Sequence, residues 1–308
     1  MKTPALTTKS RLAPALWLLL LCCSAGTVQA QGQLRTIHQE RSLYRNILVT
    51  EDGSRRCMRF TVAELDGQNQ SCRFLKDHDK LVFPYAKMVL TSLLVQDHPK
   101  RILIVGLGGG TLVHTYSTLF PEANIIIAEI DAAVVKVAHT YFDFTATNKI
   151  SVAEEDGRLY VKRAGLRGEK FDLVILDAFN GDYIPEHLMT AEFFEEVKKL
   201  LGDSGMVVAN TFSGSRLYSA ESQTYAKVFG KFFNIRMSTS GNRIIVATPQ
   251  ALPDAATLKQ RAAALGNRLA GFDVSLDEML QYIHADTDWD TKERVITDQY
   301  SPVNQLNN

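Results

Sequence analysis

Residues 101–131 read RILIVGLGGGTLVHTYSTLFPEANIIIAEID, and the fold turns on this stretch. It opens on the apolar run Ile102 to Val105, which suits a parallel strand buried on both faces. Gly106, Gly108, Gly109 and Gly110 follow, a turn in which a ligand can approach the backbone closely. Thr111 to Leu119 has helical spacing, and Asn124 to Ala128 is a second apolar run that ends on Glu129. An acid about 20 residues beyond a glycine turn is placed to accept hydrogen bonds from ribose hydroxyls. The glycines alone would fit an ordinary strand-turn-helix unit. With the second strand ending in an acid, they favour a nucleotide-type ligand.

Downstream, strands and helices alternate, which predicts a parallel sheet covered by helices. Ile150 to Ala153 is a third strand, ending at Glu155-Asp156-Gly157, and Phe171 to Leu176 is a fourth, ending on Asp177. Thr190 to Leu201 is a helix with Thr190 as its N-cap, Gly205 to Asn210 a fifth strand, and Leu217 to Phe229 another helix. Phe232 to Met237 and Arg243 to Thr248 are separated by hairpin spacing, not by a crossover. A parallel sheet closing in an antiparallel hairpin predicts an α/β chain with a methyltransferase-type Rossmann-like sheet. Upstream, Tyr44 to Val49, Cys57 to Val62 and Ser71 to Leu75 are strand-like pieces, with turn signals at Asp52-Gly53 and Asp66-Gly67. They predict a small antiparallel β-domain at residues 31–82, after a loose polar start over 31–40. A helix over Phe83 to Val95 opens the nucleoside-binding domain, 83–250, and a helical appendage and tail occupy 251–308.

The chain has 308 residues, 45% hydrophobic and 22% charged, and a formal net charge of zero. That is a globular composition without the basic footprint of a nucleic-acid binder. Lys2, Lys9 and Arg11 precede the apolar run Leu12 to Cys23, and Val28-Gln29-Ala30 is a small-residue cleavage pattern. Residues 1–30 therefore read as a signal peptide. An exported chain, periplasmic or secreted, without a stable membrane span after cleavage, is expected. An uncleaved anchor is the alternative, but the run is short for a span of roughly 20 residues. Cys57 and Cys72 remain; an oxidising compartment favours a disulfide, and a pair of buried thiols is the other reading. The seven histidines show no metal-ligand spacing, and Ser213-Gly214-Ser215 is not a nucleophile elbow.

In an open parallel sheet, ligands bind beyond the carboxyl ends of the strands. Glu129, Asp156 and Asp177 fall there, with Asp182 a little further on. Glu129 suits ribose, Asp156 an adenine amino group, and Asp177 the reacting centre. A helix N-cap is an equally ordinary role for Asp156. His187, on a loop beside Pro185, reads as a solvated residue.

From about Arg41 onward the chain resembles the spermidine synthase family of aminopropyltransferases. The resemblance rests on Gly106-Leu107-Gly108-Gly109-Gly110, Glu129-Ile130-Asp131, Asp156-Gly157, and Asp177-Ala178-Phe179-Asn180. It continues in Ile184-Pro185-Glu186-His187-Leu188-Met189-Thr190-Ala191-Glu192-Phe193-Phe194. The closing Thr297-Asp298-Gln299-Tyr300-Ser301-Pro302-Val303 looks like the end of an exported or membrane-fused branch. The resemblance implies that an amine attacks the propyl carbon of decarboxylated S-adenosylmethionine and that methylthioadenosine leaves. It implies Asp177 as catalytic acid-base, and Gly106, Gly108, Gly110, Glu129, Asp156 and Gly157 around the nucleoside. It also implies a small-molecule amine partner, a co-substrate instead of a tightly bound cofactor, and a homodimer. Tyr85, Thr111, Asn180, Asp182 and Tyr183 fall in the acceptor region. There the chain departs from the family: Thr111 and Asn180 stand where the resemblance places acids. Tyr85-Ala86-Lys87 replaces Tyr-His-Glu, and Tyr44-Arg45 replaces Tyr-Gln. Buried like charges need opposite partners, so a pocket with fewer acids argues against plain putrescine. Two alternatives stand beside this reading. One is a methyltransferase using intact S-adenosylmethionine. The other is a non-catalytic exported protein that binds nucleosides or polyamines.

Overall fold

The computed structural model describes residues 34–61, 69–179 and 183–301. The segment read as a signal peptide, the Asp66-Gly67 turn, Asn180, Asp182 and the last tail residues lie outside these ranges.

Four antiparallel strands form the first sheet, in the order β1 (Arg35–Arg41), β2 (Asn46–Glu51), β3 (Arg55–Thr61) and β4 (Asn69–Phe74). Ile47, Val49 and Met58 point inward and are fully buried, the alternation expected of a sheet with one covered face. β1 corrects the expectation of a loose start. Its sequence, RTIHQER, is polar because it is an edge strand with little burial, so the period-2 apolar signal is missing. Cys57 and Cys72 are direct cross-strand partners on β3 and β4, with Cα atoms 4.1 Å apart and their sulfurs within bonding distance. A bridge closing a loop of 15 residues stabilises by about 3 kcal/mol. Cys57→Ser/Cys72→Ser should therefore melt at a clearly lower temperature than the parent. Intact mass with and without reductant checks the bond directly, and two free thiols in freshly purified protein would refute it.

α1 (Pro84–Val89) begins on Pro84, whose missing N–H costs nothing in a first turn. It tightens into a 3₁₀ stretch over Leu90–Leu94, all buried. The large sheet follows: β5 (Arg101–Val105), α2 (Thr111–Leu119), β6 (Asn124–Ala128), α3 (Ala132–Tyr141), β7 (Ile150–Ala153), α4 (Gly157–Leu166), β8 (Phe171–Leu176), α5 (Ala191–Leu200), β9 (Leu201–Phe212), α6 (Tyr218–Phe229), β10 (Phe232–Arg236) and β11 (Asn242–Ala247). With a short last strand, β12 (Ile283–His284), the spatial order is β12-β10-β11-β9-β8-β5-β6-β7. β7, β6, β5, β8 and β9 run parallel, while β11 and β10 are antiparallel, so the closing hairpin is present. The apolar runs alternate between two cores. Ile102, Ile104, Ile125 and Ile127 face α2 and α3, whereas Leu103, Val105, Val174 and Leu176 face α4, α5 and α6.

The C-terminal part is only partly helical, which corrects the expected appendage. After α7 (Ala255–Leu265) and α8 (Leu276–Met279), β12 (Ile283–His284) pairs with β10 as an eighth strand. The chain then crosses the α6 side. Trp289 stacks on Phe232 at 5.0 Å, and Ile296 is fully buried. A two-residue strand, Ile283–His284, at the edge of a sheet carries too little pattern to be read in advance. Among the described residues no helix is long and apolar enough to cross a membrane.

Candidate active site

A cavity of about 850 Å³ opens over the carboxyl ends of the central strands. The chain turns back from β5 to place β8 on its other side, and the crevice lies at that switch point. Gly106, Gly108, Glu129, Asp156, Gly157 and Asp177 all line it, as do Tyr85, Thr111 and Tyr183. Gly110 does not. It sits at φ 78° as the residue before α2 and turns the chain into the helix.

Gly106 has φ 99°, and a Cβ there would fall 2.5 Å from the Asp177 carbonyl oxygen. Only glycine lets the β5 turn lie against the backbone of Asp177. Gly106→Ala should cost about 1–3 kcal/mol from the backbone conformation alone, more with the clash. A thermal melt unchanged from the parent would contradict this. Gly157 serves the same close approach on the next face, where a Cβ would lie 2.3 Å from Val105.

Glu129 is buried at the end of β6. One carboxylate oxygen accepts the Leu107 N–H at 2.9 Å and the other the Asp131 N–H at 3.0 Å. Each oxygen therefore keeps an acceptor position for a hydroxyl. Burial raises its pKa, opposed by the two backbone donors and by the charge of Arg45. Asp156 is indeed a helix N-cap: its Oδ1 accepts from the Arg158 and Leu159 N–H groups, both at 3.0 Å. It lines the cavity as well, so the two roles coexist. His187 is exposed, as read, but not merely solvated, since its Nε2 lies 2.8 Å from Oδ2 of Asp156. This contact holds the Asp156 carboxyl below its ordinary range.

Asp177, the residue after β8, is partly buried in the cavity wall. Its Oδ1 accepts from the Asn210 side-chain amide at 2.8 Å, and its Oδ2 accepts from the Tyr85 hydroxyl at 3.3 Å. Asn242 donates to Asn210 at 2.9 Å, fixing which way that amide points. Desolvation pushes the Asp177 carboxyl up to about 7, against the pull of its two donors. Burial and the Asp177 charge raise the Tyr85 phenol, so it stays a donor. A carboxyl poised near neutrality, with one open acceptor position on each oxygen, can take a proton from an amine.

On the acceptor side, the structure separates the two cations that the sequence offered. Arg45 lines the cavity, stacked on Phe60 at 4.4 Å with Nη1 donating to the Phe179 carbonyl at 3.1 Å. Lys87 instead turns to Asp273, 2.6 Å away. Thr111 reaches Ser71 of β4 at 3.3 Å. Asn180 and Asp182 lie outside the described residues. Glu221 of α6 also reaches the cavity wall, paired with the fully buried Arg243. Asn210, Asn242 and Glu221 were missed in the sequence, and His187 was read there only as solvated. Asn210 sits at the end of an apolar strand, as the acids do, and that position was its one readable signal. Among the described residues no group of three or more His, Cys, Asp or Glu side chains could hold a metal ion.

Comparison with known proteins matches this architecture. Residues 82–247 fit the model of the spermine/spermidine synthase domain. A polyamine aminopropyltransferase of Vibrio vulnificus is 44% identical over 295 residues, covering 95% of this chain and 98% of that protein. Among solved structures, a probable spermidine synthase of Corynebacterium glutamicum superposes with a TM-score of 0.65 at 20% identity, covering 86% of this chain and 97% of the other. Human methyltransferase-like protein 13, in complex with SAH, gives 0.52 at 22% identity, covering 72% and 96%. These two likenesses concern the fold alone, whereas the family match covers Glu129, Asp156 and Asp177 but not the β2–β4 side of the cavity. The chain belongs to the spermine/spermidine synthase family and is a transferase of the aminopropyltransferase type.

Proposed function

We propose that the protein transfers the aminopropyl group of decarboxylated S-adenosylmethionine to an amine and releases methylthioadenosine. The observation that carries this is the set of three carboxylates, Glu129, Asp156 and Asp177, on one cavity, with Asp177 held near neutrality. Glu129 receives the ribose hydroxyls and Asp156 the adenine edge. Asp177 accepts a proton from the attacking amine and steadies its charge, while the amine lies in line with the sulfonium. Tyr85 and Asn210 keep the carboxylate aimed.

The acceptor is not plain putrescine. Of the described carboxylates on the cavity, Glu221 is matched by Arg243, so Asp177 alone is left for an ammonium beyond the nucleoside positions. Phe60, Phe83, Phe179, Tyr183 and Phe212 supply aromatic wall instead. An acceptor with one amine at Asp177 and an apolar body fits this better than a short dication. Thr111, neutral at the cavity wall, favours a second reading in which intact S-adenosylmethionine is the donor. Incubating the enzyme with each donor and a panel of amines decides. Methylthioadenosine release only from the decarboxylated donor supports the first reading, and S-adenosylhomocysteine from the intact donor supports the second. Rapid turnover of putrescine would overturn the acceptor assignment. Export, with residues 1–30 removed, is supported by the basic and apolar pattern of that segment and by the cross-strand cysteine pair.

A further inference from the structure

The C-terminal segment, which the reaction above does not use, is tied into the purine end of the cavity. Arg158 of α4 is the knot, with its side chain 9% exposed. Its Nε and Nη2 donate to Glu196 of α5, both at 2.9 Å. Its Nη1 and Nη2 donate to the two oxygens of Asp298, at 2.6 and 2.7 Å. Nη1 also donates to the backbone carbonyl of His187 at 3.3 Å. Asp298 in turn accepts from the hydroxyl of Thr190, the α5 cap, at 2.8 Å, and its own N–H donates to Glu192 at 3.0 Å. Beside it, the carbonyl of the buried Ile296 accepts the Ala191 N–H at 2.9 Å. One end of the segment before α5, at Thr190, is thus held by Asp298 itself, and the other, at His187, by the arginine that Asp298 pairs with.

That segment presents His187 to Asp156. Oδ1 of Asp156 already accepts two backbone N–H groups, which fills its two lone pairs. Oδ2 accepts from Nε2 of His187, and one acceptor position remains. An adenine amino group donates; the carbonyl of hypoxanthine at the same place does not. With a single acceptor position left, where His187 stands decides which direction is open to the purine.

We propose that the tail completes the purine end of the site. His187 is a specificity-determining residue that leaves Asp156 one acceptor for an exocyclic amine, and Asp298 is the positioning residue that holds His187 there through Arg158. This rests on the reading that Asp156 faces adenine. The geometry makes removal of either His187 or Asp298 a loss of selectivity, not only of affinity.

The test measures binding of methylthioadenosine and methylthioinosine by calorimetry, on the full chain, with thermal melts alongside. Asp156→Asn is the control for the underlying reading. If it leaves both affinities and their ratio unchanged, Asp156 does not face the purine and that reading fails. Given a response there, His187→Ala should weaken methylthioadenosine about tenfold, the scale of one hydrogen bond to a charged group, and narrow the ratio between the two ligands. Asp298→Ala should narrow it likewise, and Asp298→Asn, which keeps one acceptor oxygen for Arg158, should recover part of the loss. The double variant His187→Ala/Asp298→Ala should be no worse than the larger single change, because the two act in one chain of contacts. If Asp298→Ala fails to fold, Asp298→Asn and the half-exposed His187 carry the test. An unchanged ratio in His187→Ala overturns the specificity role. An unchanged ratio in the Asp298 variants, with His187→Ala responding, overturns the role of the tail.

Discussion

Asp177→Asn should lower turnover by roughly 10²–10⁴, the usual cost of losing a general base, while methylthioadenosine affinity stays close to the parent's. The substitution is isosteric. Asn210 can still donate to its oxygen, and its amide can donate to the Tyr85 hydroxyl, so geometry survives and only the proton acceptor goes. The parent should also show a pH dependence that the variant lacks. With the Asp177 carboxyl at about 7, kcat/KM should rise with pH up to about that value, because the base must be ionised. In the ternary complex a sulfonium nearby favours the carboxylate, which moves the limb of kcat lower. The stability effect has a definite sign. An acid whose folded pKa is raised keeps its proton when the unfolded chain has already released it. Its contribution to stability therefore falls as pH rises from about 4 to about 7 and is flat above. At pH 8, Asp177→Asn removes that cost and should melt higher than the parent. A variant that retains parental turnover, or that melts lower at pH 8, would sink the assignment.

The glycine turn, the two apolar runs and the acids at the strand ends were legible because each is a local pattern with a fixed physical cause. Ile102 to Val105 must be buried on both faces to be so uniformly apolar. Gly106 must be glycine because the Asp177 backbone touches it. The Thr190 cap was readable for the same reason: a hydroxyl before an apolar-periodic run accepts the Phe193 N–H, at 3.2 Å. What stayed hidden depends on distant partners. Asn210 becomes a site residue only because β9 lies beside β8 in register. Lys87 carries a charge that the sequence suggests for the pocket, yet Asp273, 186 positions away, draws it elsewhere. β1 was missed because an edge strand has no reason to alternate apolar residues. His187 and Asp298, 111 positions apart in number, meet through an arginine whose own sequence context, Gly-Arg-Leu, announces nothing.

Glu129→Ala should weaken methylthioadenosine binding by about 3–6 kcal/mol, more than a hundredfold. Two ribose hydroxyls each lose a hydrogen bond to a charged acceptor, at roughly 1.5–3 kcal/mol apiece. The carboxylate is committed in advance, because the Leu107 and Asp131 N–H groups fix both oxygens before any ligand arrives. Glu129→Gln keeps one acceptor oxygen but sets an amide against one of those N–H donors, so its loss should fall between parent and alanine variant. Burial raises the Glu129 pKa, and only the ionised form accepts from both hydroxyls. Affinity should accordingly decline as pH falls through that raised value, earlier than an exposed glutamate would allow. The decisive comparison uses methylthioadenosine and its 2′-deoxy counterpart. The parent should bind the deoxy ligand much more weakly, whereas Glu129→Ala, with no acceptor to lose, should bind the two nearly alike. If the alanine variant still discriminates as the parent does, the ribose is held elsewhere and the orientation of the nucleoside in this cavity must be reversed.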